Sequence, residues 1–190
     1  MAELVLASRS PQRRAILDQL GISFTARTPY VEELEEGPAI EVVLENAHRK
    51  AAAVAGRRAD RLVLGVDTVV HLGGRIYGKA ADLDAARATL RTLSGRRHEV
   101  ISGICLLKDG TSRRAAVQTL VEFRTLDDGL IEWYLASEEW RERAGCYAIQ
   151  GRGAALVAGI EGDYLNVVGL PIATLLELEP GLLERGPVGA

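Results

Sequence analysis

The sequence predicts a mixed α/β fold, in which strands and helices interleave around a sheet that is not purely parallel. Three observations predict it. Valine- and leucine-rich runs of strand length recur along the chain. Amphipathic runs between them open on capping residues and close on glycine. Polar turns at Gly73-Gly74 and Lys108-Asp109-Gly110 mark hairpins, which favour a mixed sheet over a doubly wound parallel one.

The elements follow in order. Leu4–Ala7 reads as a short buried strand, and Ser8–Pro11 as a turn. Pro11 to Leu20 reads as a helix: Ser10 suits the N-cap, Pro11 the first helical position, and Gly21 the stop. Phe24 to Val31 is extended, and Ile40 to Ala55 is a second helix ending at Gly56. The apolar run Leu62–Leu72 turns at Gly73-Gly74 into Arg75–Tyr77. Asp82 to Leu93 is a third amphipathic helix, capped by Asp82 and followed by Gly95. Val100–Leu107 and Ala115–Phe123 are strands, Leu126–Leu135 a helix, and Gly145–Gly153 a loop punctuated by glycine. Ala154–Ile160 reads as a strand and Ile172–Leu178 as a closing helix. A single domain over residues 1–180 is expected, with a frayed tail at 181–190.

Composition narrows the function. A 190-residue chain buries roughly 70% of its unfolded surface, enough for a full core without staples. The formal charge of −3 lacks the basic surplus that wraps a nucleic-acid backbone, so no nucleic-acid partner is expected. A few local arginines suffice for a small phosphorylated ligand. No apolar run approaches the ~20 residues that span a bilayer, and the first residues lack a basic segment followed by an apolar core. No membrane partner is expected, and a cytoplasmic location is. Cys105 and Cys146 read as reduced core thiols.

Several residues carry chemistry. Ser8-Arg-Ser-Pro-Gln-Arg-Arg14 puts hydroxyls and guanidinium groups where a strand meets a helix N-terminus, a natural place for an anion. A capped helix with solvated arginines is the plain alternative. Asp67 interrupts an otherwise apolar strand, and a buried carboxylate needs a metal, a cationic partner or a shifted pKa. Lys50 lies on the apolar stripe of Val43, Ala47 and Val54, together with Asn46; a lysine there either snorkels to water or meets a buried anion. Lys79 ends the hairpin, and Glu33 lies in the acidic run Glu32–Glu36, which is a solvated loop unless one member holds a metal. Gln150, between the glycines of the late loop, can read the edge of a base. No Walker A loop, dinucleotide fingerprint or zinc motif is present.

In this order, Leu6-Ala-Ser-Arg-Ser-Pro-Gln-Arg-Arg14, Glu33, Lys50-Ala51, Gly65-Val-Asp-Thr-Val69, Gly78-Lys79, Leu93-Ser-Gly95, Gly145-Cys-Tyr-Ala-Ile-Gln-Gly151 and Val168-Gly-Leu-Pro171 resemble the Maf family, from about residue 4 to residue 178. The resemblance implies a twisted mixed sheet with flanking helices and a deep central cleft, related to the inosine triphosphate pyrophosphatases. It implies a nucleoside triphosphate substrate, cut between its α and β phosphates, and a divalent cation, Mg²⁺ or Mn²⁺. The family's catalytic aspartate falls on Asp67, its phosphate-binding serine and arginine on Ser8 and Arg13, its lysines on Lys50 and Lys79, and its acidic partner on Glu33. Arg14 joins the substrate-binding set as the last cation of the turn. Asp67 and Glu33 are the candidate metal ligands, with Asp67 acting as base or as ligand.

Two branches of the family prefer dTTP and UTP, or 7-methyl-GTP. Thr68 and Gln150 match the pyrimidine branch, while Gln12 matches neither branch and lacks the stacking surface of a tryptophan. Ala80 stands where the family tends to have proline. The resemblance therefore implies a dTTP/UTP pyrophosphatase. A 7-methyl-GTP pyrophosphatase and a non-catalytic nucleotide-binding regulator of cell division are the alternatives, and a homodimer stays open beside a monomer.

Overall fold

The computed structural model describes residues 3–56 and 61–185. A seven-stranded mixed sheet with flanking helices forms the architecture. Its strands are β1 (Glu3–Ala7), β2 (Thr25–Arg27), β3 (Arg61–Leu72), β4 (Arg75–Tyr77), β5 (Arg97–Lys108), β6 (Thr111–Phe123) and β7 (Val157–Glu161). They lie in the order β2-β1-β3-β5-β6-β7, with β4 paired to β3 off this path. β1 runs parallel to β2 and to β3, whereas β4 is antiparallel to β3 and β7 to β6. The helices are α1 (Pro11–Gln19), α2 (Ala39–Ala55), α3 (Leu83–Leu93), α4 (Asp128–Leu135), α5 (Tyr164–Val168) and α6 (Ile172–Leu178). Among the described residues no helix is long and apolar enough to cross a membrane.

Grouped by their contacts, the residues form two compact units. One comprises Met1–Asp67, Ser102–Val117 and Gly169–Ala190, and the other Thr68–Ile101 and Gln118–Val168. The chain passes between them four times, so no single linker separates them.

In the first unit, α1 opens as its sequence dictates. The Ser10 side chain accepts from the Arg13 N–H, and Pro11 begins the helix. Helix α2 packs its Ala47 and Ala51 face against Val5, Ala7, Val63 and Cys105. Two glycines let it come this close. A Cβ at Gly65 would stand 2.0 Å from the Ala47 carbonyl oxygen, and one at Gly103 would stand 2.4 Å from that of Val43. In the segment expected to fray from Gly181, Pro180–Arg185 forms a 3₁₀ turn in which Leu182 is buried. Residues 186–190 of that tail lie outside the described residues.

The second unit is built on Val70, Leu90, Leu93, Phe123, Tyr134, Trp140 and Tyr147, among others. Asp82 caps α3 by accepting from Ala85 N–H at 2.8 Å, and Asp127 caps α4 by accepting from Leu130 N–H at 2.7 Å. The second cap explains why α4 starts later than the apolar pattern from Leu126 suggests. The strand expected at Ala154–Ile160 begins only at Val157, because Arg152–Leu156 is drawn into a 3₁₀ turn. A Cβ at Gly153 would meet the Ala148 carbonyl oxygen at 2.5 Å, so the chain doubles back too tightly there for extended structure. Helix α5 is too short to announce itself by periodicity.

Candidate active site

The site grows from the end of β1. Register pairs Ala7 with Gly65, so the chain leaves the sheet at Ser8, alongside Val66 and Asp67 of β3. Ser8 is buried, and its hydroxyl oxygen accepts twice: from Ser10 N–H at 3.1 Å and from Arg13 Nη1 at 3.2 Å. With its acceptor sites occupied, what Ser8 has left to offer is its proton. Arg13 is buried beneath the turn. It donates from Nη1 to the Val66 carbonyl at 3.0 Å and from Nε to the Gly169 carbonyl at 2.8 Å. Burial pushes its guanidinium below the usual arginine range, and the negative charges of Asp67 and Glu33 oppose that shift. Arg14, exposed on the next helical position, donates to the Ser8 carbonyl at 3.4 Å. Gln12 is half-buried and accepts from the Ser10 hydroxyl at 3.1 Å.

Asp67 is buried, with 5% of its surface exposed. Its two oxygens are held separately. Lys50 Nζ donates to Oδ1 at 2.6 Å, and Asn46 Nδ2 donates to Oδ2 at 3.0 Å. Lys50 and Asn46 stand one turn apart on α2, on the face that the close approach to Gly65 presses inward. Of the two readings open for Lys50, the structure selects the buried anion. The same ammonium also pairs with Glu33 Oε2 at 3.0 Å, so one cation joins two carboxylates, one buried and one half-exposed. Asn46 is buried and holds the acidic loop as well, donating to the Leu34 carbonyl at 2.9 Å and accepting from Leu34 N–H at 2.7 Å.

Five of the residues singled out in the sequence are therefore brought together: Ser8, Arg13, Glu33, Lys50 and Asp67. Thr68 follows Asp67 and is half-buried. Lys79 and Gln150 belong to the second unit, where Lys79 Nζ pairs with Glu142 at 2.7 Å and Gln150 is exposed. The sequence placed Asn46 on the inward stripe but gave it no part. The signal was there, since an asparagine in a helix interior is unfavourable unless its amide finds partners. Among the described residues, no three His, Cys, Asp or Glu side chains are grouped to hold a metal ion by themselves.

A family model described as "Maf-like protein" matches residues 3–179. A "dTTP/UTP pyrophosphatase" of Pelotomaculum thermopropionicum is 48% identical, over 94% of this chain and 95% of that protein. One of the same name from Pyrococcus furiosus is 42% identical, over 94% of each. A solved structure titled "Structure of a HAM1 protein from Coxiella burnetii" aligns with 82% of this chain and 92% of that one, at a TM-score of 0.46 and 17% identity.

Proposed function

Because the chain belongs to the Maf-like protein family, we propose that it is a nucleoside triphosphate pyrophosphatase acting on dTTP and UTP, the nucleotides for which its relatives are named. Hydrolysis between the α and β phosphates consumes one water and releases a monophosphate and pyrophosphate. The observation that carries the reading is Asp67: a carboxylate buried in an apolar strand and fixed by Lys50 and Asn46, beside a serine–arginine turn at a strand end. A binding-only regulator has no need of that buried acid.

Each residue has a part. Ser8 donates its remaining proton to a phosphate oxygen, and Arg14 adds a guanidinium at the mouth of the same turn. Arg13 braces the turn from below and lends positive charge without leaving its carbonyl partners. Lys50 offsets phosphate charge, and Lys79 does so from the hairpin. Asp67 orients the attacking water and takes its proton; two of its lone-pair directions are occupied, which leaves others open. Thr68, Gln150 and Gln12 are the groups that read the base.

The donor set fits a divalent cation. Asp67 and Glu33 are hard oxygen donors that converge on one ammonium, and Mg²⁺ is commonly held by one or two carboxylates with phosphate oxygens and waters completing the shell. These two residues would hold Mg²⁺ or Mn²⁺, which when bound would neutralise charge on the phosphates.

Pyrophosphate release with dTTP, UTP, CTP and 7-methyl-GTP tests the reading. dTTP and UTP should lead the panel, and Asp67→Asn should lower turnover by about 10²-fold or more while the fold persists. Near-normal turnover in that variant, or preference for 7-methyl-GTP, would count against the assignment.

A further inference from the structure

We propose that Asn46 is a positioning residue for the reaction, a single amide that fixes the rotamer of Asp67 and at the same time clamps the Glu33 loop onto α2. The inference rests on the pyrophosphatase reading for its catalytic consequence, and on geometry alone for the clamp.

The amide has one orientation that satisfies its surroundings. The Leu34 N–H needs an acceptor, and of the two ends of the amide it is Oδ1 that can supply one, at 2.7 Å. The Leu34 carbonyl and Asp67 Oδ2 need donors, and Nδ2 carries two hydrogens, one for each, at 2.9 Å and 3.0 Å. A flipped amide would set its oxygen against two acceptors. The Leu34 pair amounts to one rung of a strand ladder made by a side chain, and it fixes the backbone next to Glu33. The bond to Oδ2 leaves Asp67 Oδ1 turned to Lys50 Nζ, which also meets Glu33. Asn46 thus bonds one acid of the site, Asp67, and holds the backbone beside the other, Glu33. Asn46 itself and its bond to Asp67 are buried, which makes the loss of the amide's partners costly. Rotation of Asp67 by one rotamer would move its oxygens by an ångström or more, and a misplacement of that size costs on the order of 10²-fold in rate.

Two variants test this. Asn46→Leu has nearly the same volume and removes every polar contact. Asn46→Asp keeps an acceptor for Leu34 N–H but loses the donors to Asp67 and to the Leu34 carbonyl. Both should lower kcat by about tenfold or more while KM moves less than about threefold, because the loss falls on the oriented base rather than on the phosphate turn. Hydrogen exchange at the Leu34 amide separates the two roles. It should quicken by about tenfold or more in Asn46→Leu and stay near the parent rate in Asn46→Asp. A kcat within about threefold of the parent in either variant, or unchanged Leu34 exchange in Asn46→Leu, overturns the proposal. If Asn46→Leu does not fold, the kcat and KM of Asn46→Asp decide alone. A parent protein that released no pyrophosphate would sink the functional reading instead, and Leu34 exchange would still judge the clamp.

Discussion

The Asp67–Lys50 pair shows what a single side chain can tell from sequence and what it cannot. Asp67 was legible because a carboxylate among valines and leucines must be compensated. Lys50 was legible because helical spacing put it on the buried stripe. Their partnership was not, since it depends on where α2 crosses β3. The anchoring of Arg13 to the Gly169 carbonyl, 156 residues away, left no local trace at all. A prediction follows from the burial. Lys50→Met leaves the Asp67 carboxylate buried with the Asn46 amide still donating to it but no ammonium beside it, and breaking a buried pair this way costs about 3–5 kcal/mol. Urea unfolding at neutral pH should show that loss. A change below about 1 kcal/mol would mean that water already reaches Asp67.

Helix α2 is the element that turns separate residues into a site. Its apolar stripe was readable, and so were the caps of α1 and α3, because each rests on contacts within a few residues. Its closeness to the sheet was not. A glycine inside a strand announces either a bulge or a close neighbour, without saying which. Gly65 and Gly103 turn out to lie directly under the carbonyls of Ala47 and Val43. Gly65→Ala must push α2 outward, since a backbone carbonyl cannot rotate aside as a side chain would. Overpacking of this kind costs about 3 kcal/mol. Activity should fall further than stability alone requires, because Asn46 and Lys50 move with the helix. Thermal unfolding and pyrophosphate release, measured on the same variant, separate the two effects. A Gly65→Ala protein with parental turnover would show that the site tolerates the shift. By contrast, the run Ala154–Ala155 carried no period that could tell a 3₁₀ turn from a strand.

At the scale of the whole molecule, the mixed sheet was legible from the hairpins, and the family from motifs spread along most of the chain. The grouping into two units splits β3, β5 and β6 between them, and no local pattern in the sequence marks those points. The units differ in chemistry. The first unit buries charge at Arg13, Lys50 and Asp67, whereas the second holds His98 in an aromatic setting, edge-on to Phe123 and Tyr147 at 4.8 Å and 5.5 Å between ring centres. His98 Nε2 meets the Tyr147 hydroxyl at 3.0 Å, and desolvation lowers the imidazole from 6.5 to about 4. The unfolded chain therefore binds a proton on His98 between those values that the folded protein refuses. Stability contributed this way is complete above pH 6.5 and is lost as pH falls through the window toward 4, to a total of about 3 kcal/mol. The carboxylates of Glu3, Glu45 and Glu132 are also held below their usual value, but all three face solvent, so screening leaves their share small and places it at the acid end of the window. Both tryptophans, Trp133 and Trp140, lie in the same unit as His98, so their fluorescence reports on the part that titrates. Urea midpoints followed by that signal should fall by about 2 kcal/mol equivalent between pH 7 and pH 5 in the parent. His98→Gln can keep a bond to Tyr147 yet cannot take up the proton, so its curve should be nearly flat over the same range, even if it starts lower. Parallel slopes in the two proteins would place the acid sensitivity outside His98.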